Sequence, residues 1–161
     1  MRDFKNTAAI FFASGFYISH LPAAVTGFKK FTGSGLFGTA LGLLLVPLLP
    51  EQAPALLFFL VVFFFFASGV ASAAEKAYGV HDDPRIVIDE ILGLWIAVAF
   101  LEKTPLNLAA AFIFFRILDT LKPWPISRIE RTAHGGFAIM LDDVLAAAAA
   151  NLLVRLISLA I

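Results

Sequence analysis

The sequence predicts an all-α fold, a polytopic transmembrane helical bundle of about five spans that follows an N-terminal interfacial or kinked helix. Of its 161 residues, 60% are hydrophobic and only 15% are charged, and the mean hydropathy is +0.90. A soluble domain of this size carries about 25% charged residues. Because the apolar stretches follow one another without a repeat or a linker, residues 1–161 are interpreted as a single integral membrane domain.

Each predicted span is an apolar stretch between charged or turn-forming residues. The clearest is 54–74, which has no charge and is long enough to cross about 30 Å of hydrocarbon as a helix. The other predicted spans are 33–49, 86–101, 105–121 and 137–161. Residues 6–28 are uncharged but are interrupted by His20, Pro22 and Gly27, so they form either a kinked span or an interfacial helix.

Basic residues are unequally divided between the two sides of this predicted topology. One side holds Arg2, Lys5, Lys29, Lys30, Lys76, Arg85, Lys122, Arg128 and Arg131. The other side holds Lys103 in a tight loop and Arg155 within the last helix. Since basic loops are retained in the cytoplasm, the first side is predicted to be cytoplasmic.

Composition excludes several classes of function. The formal net charge is zero, so the sequence gives no sign of binding to nucleic acid. The chain has no cysteine, which excludes disulfides, thiol nucleophiles and zinc sites built from thiolates.

A first polar cluster opens the predicted span 86–101. Asp83 is suited to cap a helix whose first residue is Pro84. Asp89 and Glu90 would then lie about two turns inside an apolar helix, where an unpaired carboxylate costs several kcal/mol. Both therefore need a cation from a neighbouring helix or a metal ion. Gly93, one turn beyond Asp89, would let another backbone approach.

A second polar cluster closes the predicted span 105–121. Arg116 and Asp119 share a helix face because they are three residues apart, and Pro123 ends the helix just after Lys122. An ion pair within the helix would give Arg116 and Asp119 a purely structural role. We favour a functional role for Asp119 and Lys122. Arg128 is explained equally well as an ordinary flanking cation.

A third polar cluster is the carboxylate pair Asp142 and Asp143 near the start of the predicted span 137–161. A favourable interaction with the helix dipole explains one such carboxylate more readily than two. Carboxylates from three helices would thus meet at one depth beside basic residues. This arrangement suits Mg²⁺ and a phosphate-bearing substrate. The glycine-rich residues 33–39 open a helix on the same side, where backbone N–H groups would hold phosphate or the small residues would serve helix packing.

These clusters together resemble the phosphatidylglycerophosphatase A family. The resemblance rests on the motif from Asp83-Pro84 through Asp89-Glu90 to Gly93, on Arg116-x-x-Asp119-x-x-Lys122-Pro123-Trp124-Pro125, and on His134-Gly135-Gly136-x-x-Ile139-Met140-x-Asp142-Asp143. The motifs occur in the family's order over residues 83–143. The glycine-rich turn departs from the family pattern because Leu36 stands where the family has threonine.

The resemblance implies a phosphoric monoester hydrolase of phospholipid biosynthesis, located in the bacterial cytoplasmic (inner) membrane with its active site facing the cytoplasm. It would hydrolyse phosphatidylglycerophosphate to phosphatidylglycerol and phosphate with Mg²⁺. On this basis the Mg²⁺ ligands and the general base are expected among Asp83, Asp89, Glu90, Asp142 and Asp143, with Asp119 beside them. The phosphate would be held by Arg116, Lys122, Arg128, Gly38 and Thr39. Water is the favoured nucleophile over a carboxylate, because the carboxylates are committed to the metal.

Three alternatives remain open at this point: an ion- or proton-translocating protein, a structural Mg²⁺ site, and a phosphatase for another lipid phosphomonoester. Transport predicts ionisable residues at several depths, whereas here they gather near one surface. The expected partners are the phospholipid substrate and membrane lipids, and the sequence is compatible with a homo-oligomer.

Overall fold

The computed structural model describes residues 2–22, 33–124 and 135–160, and within these ranges it contains six α-helices and no strand. The helices are α1 (Arg2–Ala13), α2 (Ser34–Leu45), α3 (Ala53–Tyr78), α4 (Ile88–Ala97), α5 (Pro105–Leu121) and α6 (Gly136–Ala160). Short 3-10 turns lie at Ile18–His20 and Val46–Leu48. The predicted all-α class is therefore confirmed.

Two helices are long and apolar enough to cross a membrane. These are Ala53–Tyr78, with 26 residues, and Gly136–Leu159, with 24. The apolar stretch Ser34–Leu48 is shorter, α5 has 17 residues, and α4 has only 10, which is about 15 Å of helix. The predicted number of five spans is thus not confirmed, although the apolar helices fit a membrane protein.

Local sequence signals set the boundaries of the long helices. Pro54 lies in the first turn of α3, and Gly79 ends this helix with a left-handed φ of 70°. The Thr104 side chain caps α5 by accepting a hydrogen bond from the Asn107 N–H at 3.2 Å. Lys122 adopts a left-handed conformation, and Pro123 follows, so α5 ends where the sequence predicted.

Helix α4 lies at the centre of the bundle, where it packs against α2, α3, α5 and α6. Eight of its ten residues are buried, and the other two, Glu90 and Ile96, are partly buried. A helix with neighbours on all sides is expected to be apolar all round, and this segment is so from Ile91 onward, after Asp89 and Glu90 in its first turn. The indole N–H of Trp95 is satisfied by the carbonyl oxygen of Gly42 on α2 at 2.9 Å.

The predicted start of α4 is wrong. Asp83 does not cap this helix, which begins at Ile88. The Asp83 carboxylate instead accepts the Arg85 backbone N–H at 3.0 Å, and its carbonyl accepts the Ile86 N–H at 2.8 Å, so Asp83 closes a turn before the helix. Asp89 and Glu90 consequently lie in the first turn of α4, where the helix dipole favours negative charge.

The backbone beyond α4 is irregular, and α6 provides its hydrogen-bond partners. The Asn151 side-chain amide donates to the carbonyls of Ala97 and Ala99 at 2.9 Å each. Arg155 donates to the Asn151 side-chain oxygen at 2.7 Å and to the carbonyls of Ala99 and Phe100 at 3.1 Å each. These two side chains therefore satisfy carbonyl oxygens that would otherwise lack donors where the helix ends.

The N-terminal segment forms a hairpin in its described part, 2–22. Helix α1 packs along α3 and is followed by a reversal in which Gly15, Phe16 and Tyr17 have φ values of 58°, 60° and 65°. The reversal returns the chain to the loop before α4, where the Ser19 hydroxyl donates to the Arg85 carbonyl at 2.8 Å. The sequence predicted a kinked span or an interfacial helix over 6–28, but it did not reveal this hairpin. Residues 23–28 lie outside the described part.

Gly93 faces a side chain rather than the backbone that the sequence predicted. A Cβ at this position would lie 2.6 Å from Cε2 of Phe115, which is fully buried and so cannot move aside.

Gly93→Ala is therefore expected to lower the thermal unfolding midpoint of the detergent-solubilised protein, since overpacking costs about 1–3 kcal/mol. Gly69→Ala is the matched control, because a Cβ there meets nothing within 4 Å, and its midpoint should be equal or higher. Equal unfolding midpoints for the two variants would show that contact with Phe115 does not destabilise Gly93→Ala.

Candidate active site

Three carboxylates from two helices meet at one end of the bundle. Asp89 and Glu90 come from the first turn of α4, and Asp143 comes from the second turn of α6. One oxygen of each lies within 4.8 Å of the others. Asp89 and Asp143 are only 7% and 4% exposed, so their charges are poorly solvated. We call these three residues the carboxylate cluster.

The carboxylate cluster has the properties of a divalent cation site. Glu90 Oε2 and Asp143 Oδ2 are buried, and neither has a hydrogen-bond partner within the described ranges. Buried carboxylates that lack partners and stand close together repel one another and are costly to desolvate. A hard divalent cation such as Mg²⁺ binds carboxylate oxygens of this kind, so the residues present fit the predicted metal.

Arg116 lies beside the carboxylate cluster. Its Nη1 is 2.8 Å from Asp119 Oδ2, 3.3 Å from Thr39 Oγ1 and 3.9 Å from Glu90 Oε1. The predicted pair between Arg116 and Asp119 is thus present, and it extends to α4. Nη2 donates no hydrogen bond to any residue that the structure describes. Asp119 also neighbours Asp143, so it connects Arg116 with the carboxylate cluster.

The glycine-rich start of α2 fits closely around Arg116. The Thr39 hydroxyl donates to the Gly35 carbonyl at 2.8 Å and accepts from Arg116 at 3.3 Å, so this buried side chain helps to hold the guanidinium. A Cβ at Gly38 would lie 2.6 Å from Cβ of Val87, so this glycine serves close packing. A Cβ at Gly35 would lie about 3 Å from both terminal nitrogens of Arg116. Gly35 is a site residue that the sequence did not single out, since its only signal was membership of a glycine-rich turn.

Lys122 and Asp142 form a second ion pair close to the carboxylate cluster. Lys122 Nζ lies 2.6 Å from Asp142 Oδ2, and the left-handed backbone of Lys122 at the end of α5 directs the side chain toward α6. Asp142 is buried, and its charge is balanced by this lysine. Of the adjacent pair that the sequence identified, Asp143 belongs to the carboxylate cluster and Asp142 to the ion pair.

Asp83 lies apart from the carboxylate cluster and has its own cation. Both of its carboxylate oxygens accept hydrogen bonds of 2.7 Å from the Arg85 side chain, which stacks 3.8 Å above the Tyr78 ring. Hydrogen bonding to Arg85 lowers the pKa of Asp83 below its usual value, against the opposing effect of burial. Asp83 is therefore a charged structural group in the loop before α4 in this structure. Arg128 and His134 lie outside the described residues.

Known proteins resemble this chain over most of its length. The family model for phosphatidylglycerophosphatase A matches residues 11–158. A phosphatidylglycerophosphatase A of Haemophilus influenzae is 37% identical over 117 residues, which cover 72% of this chain and 71% of that protein. A phosphatidylglycerophosphatase A of Escherichia coli is 49% identical over 72 residues, 44% of this chain and 42% of that protein. The second match thus spans less than half of its relative's length. No solved structure matches the chain.

Proposed function

The chain belongs to the phosphatidylglycerophosphatase A family, whose model covers residues 11–158, and from this membership we propose its activity. It hydrolyses the phosphomonoester of phosphatidylglycerophosphate and releases phosphatidylglycerol and inorganic phosphate, as a phosphoric monoester hydrolase of phospholipid biosynthesis. The observation that carries the proposal is the carboxylate cluster, which lies beside Arg116 and has two buried oxygens with no hydrogen-bond partner among the described residues.

Mg²⁺ is the proposed cofactor, and Asp89, Glu90 and Asp143 are its proposed ligands. Bound there, the ion would supply positive charge to the phosphate oxygens and make a water molecule easier to deprotonate. The burial of Asp89 and Asp143 supports this assignment, because carboxylates in a poorly hydrated pocket gain more from a cation than exposed ones do.

The phosphate is held by the basic residues around the carboxylate cluster. Nη2 of Arg116 would donate to a phosphate oxygen while Asp119 and Thr39 keep the guanidinium in place. Lys122 would add a second charge, with Asp142 setting its position. Positive groups fixed in this way stabilise the charge that develops on the phosphate oxygens. Water attacks phosphorus, a carboxylate of the site takes a proton from the water, and the bond to the glycerol oxygen breaks. The same carboxylate then returns the proton to the glycerol oxygen, which leaves as a hydroxyl group.

The proposed topology is multi-pass, with the active site facing the cytoplasm of a bacterium. Helices α3 and α6 are each long enough to cross. Three further crossings are proposed, formed by α2, by α5, and by α4 together with the irregular backbone that follows it. That backbone is compatible with a crossing because Asn151 and Arg155 satisfy its carbonyls. The basic residues near the carboxylate cluster support a cytoplasmic location for the active site.

The test is phosphate release from phosphatidylglycerophosphate by the purified protein in detergent, with Mg²⁺ or with excess EDTA. We expect release that requires Mg²⁺ and that is lost in Asp89→Asn, whose thermal unfolding should remain cooperative. Phosphatidic acid is the comparison substrate, and faster release from it would assign the activity to another lipid phosphomonoester. A folded protein that releases no phosphate from either lipid would favour the transport or structural alternative.

A further inference from the structure

A groove of about 560 Å³ lies between α3 and α6, near the end of α4 that is farther from the carboxylate cluster. This volume is in the range of about 300–1,000 Å³ that is common for small-molecule sites. Its lining includes Leu60 and Phe64 of α3, Ala99 after α4, and Val144, Ala148 and Asn151 of α6.

The lining of the groove selects for hydrocarbon. Asn151 is its only polar side chain among the residues that line it. The Asn151 amide nitrogen is committed to the carbonyls of Ala97 and Ala99, and its oxygen accepts from Arg155. A polar ligand group would therefore find no free side-chain partner there, and it would lose its hydration without compensation. An unbranched aliphatic chain meets no such cost and gains by burial.

The position of the groove relates it to the carboxylate cluster. Val144, at one end of the groove, directly follows Asp143 in the sequence of α6. Asn151 lies seven residues farther along the same helix, about 10 Å deeper. A lipid whose phosphate lies at the carboxylate cluster would thus have hydrocarbon at the depth of the groove. The rim residues Phe65 and Phe100 are 64% and 48% exposed, so the groove is open on the apolar outer face of the bundle.

We propose that this groove binds one acyl chain of the lipid substrate whose phosphomonoester is hydrolysed at the carboxylate cluster. The inference rests on the proposed function and names a second contact with the same substrate. It makes the length of the acyl chain a determinant of reactivity.

The test fills the groove and compares two chain lengths. Ala148 is exposed within the groove, so Ala148→Phe occupies its volume without entering the core. The matched control is Ala109→Phe, at an exposed alanine on α5 that does not line the groove. Phosphate release is measured with phosphatidylglycerophosphate that carries two hexadecanoyl chains or two hexanoyl chains.

We expect Ala148→Phe to lower kcat/KM for the long-chain substrate about tenfold, mainly through KM, which corresponds to displacing roughly two methylenes from the groove. The value for the short-chain substrate, already lower in the parent, should stay unchanged, and Ala109→Phe should resemble the parent with both. Equal effects of Ala148→Phe on both substrates would overturn the proposal and leave the groove to bulk lipid. A change of oligomeric state in Ala148→Phe alone would instead assign the groove to a second copy of the chain. A parent protein that hydrolyses neither substrate would contradict the proposed function rather than the groove.

Discussion

Replacing Asp143 with asparagine is expected to lower kcat/KM for phosphatidylglycerophosphate at least about a thousandfold, the equivalent of about 4 kcal/mol. Asp143 is the member of the carboxylate cluster that comes from α6, and one of its oxygens is buried with no hydrogen bond to any residue that the structure describes. The amide keeps the shape of the side chain but removes the negative charge that would hold a divalent cation. The measurement is the steady-state rate of phosphate release over a range of Mg²⁺ concentrations.

Asp142→Asn is the matched control for this prediction, because it makes the same chemical change at the adjacent residue. Asp142 pairs with Lys122 outside the carboxylate cluster, so we expect only about a tenfold loss. Thermal unfolding separates a metal role from a general loss of structure. Mg²⁺ should raise the midpoint of the parent and of Asp142→Asn but not that of Asp143→Asn. The same Mg²⁺ stabilisation in all three proteins would refute the assignment of Asp143 as a ligand.

Arg116→Ala is expected to lower kcat/KM about 100- to 1,000-fold and also to lower stability. The guanidinium touches Asp119, Glu90 and Thr39. Its removal takes a hydrogen-bond donor away from the phosphate. It also leaves the neighbouring carboxylates, which are mostly buried, without a cation, and such a loss costs about 3–5 kcal/mol of stability in comparable pairs. Phosphate release and thermal unfolding are measured on the same preparation.

Arg116→Lys distinguishes charge from geometry. A lysine restores one positive charge but cannot contact Asp119 and Thr39 while presenting a free edge to a phosphate. We therefore expect it to recover most of the stability and only a small part of kcat/KM. Full activity in Arg116→Ala, or equal activity in the lysine and alanine variants, would contradict the role proposed for the guanidinium.

Much of the site was predictable because buried charge is rare in an apolar sequence. Asp89, Glu90 and Asp143 stood out from their surroundings, and a single requirement for a counter-charge predicted that they meet. The pair between Arg116 and Asp119 followed from a spacing of three residues on one helix. Polar residues in apolar segments carry this much information because each of them needs a specific partner.

The partners of Asp83 and Asp142 were not predictable, because they depend on loop and helix-end geometry. Asp83 accepts hydrogen bonds from Arg85, only two residues away, and this turn moves the start of α4 to Ile88. The backbone of Lys122 is left-handed, which directs its side chain to Asp142. Apolar periodicity does not record such details. The same apolar pattern extended the predicted span to residue 101, because the irregular residues that follow the helix are as apolar as the helix itself.

The support that α6 gives to the backbone beyond α4 has a consequence for biosynthesis. The carbonyls of Ala97, Ala99 and Phe100 receive their donors from Asn151 and Arg155, which are translated some fifty residues later. Until α6 is synthesised and packs against it, α4 has neither these donors nor its partner Asp143. The support of the backbone after α4 and the assembly of the carboxylate cluster therefore both depend on the arrival of α6. A nascent chain that stalls before α6 would leave these carbonyls without their side-chain donors, and Asp89 and Glu90 without Asp143.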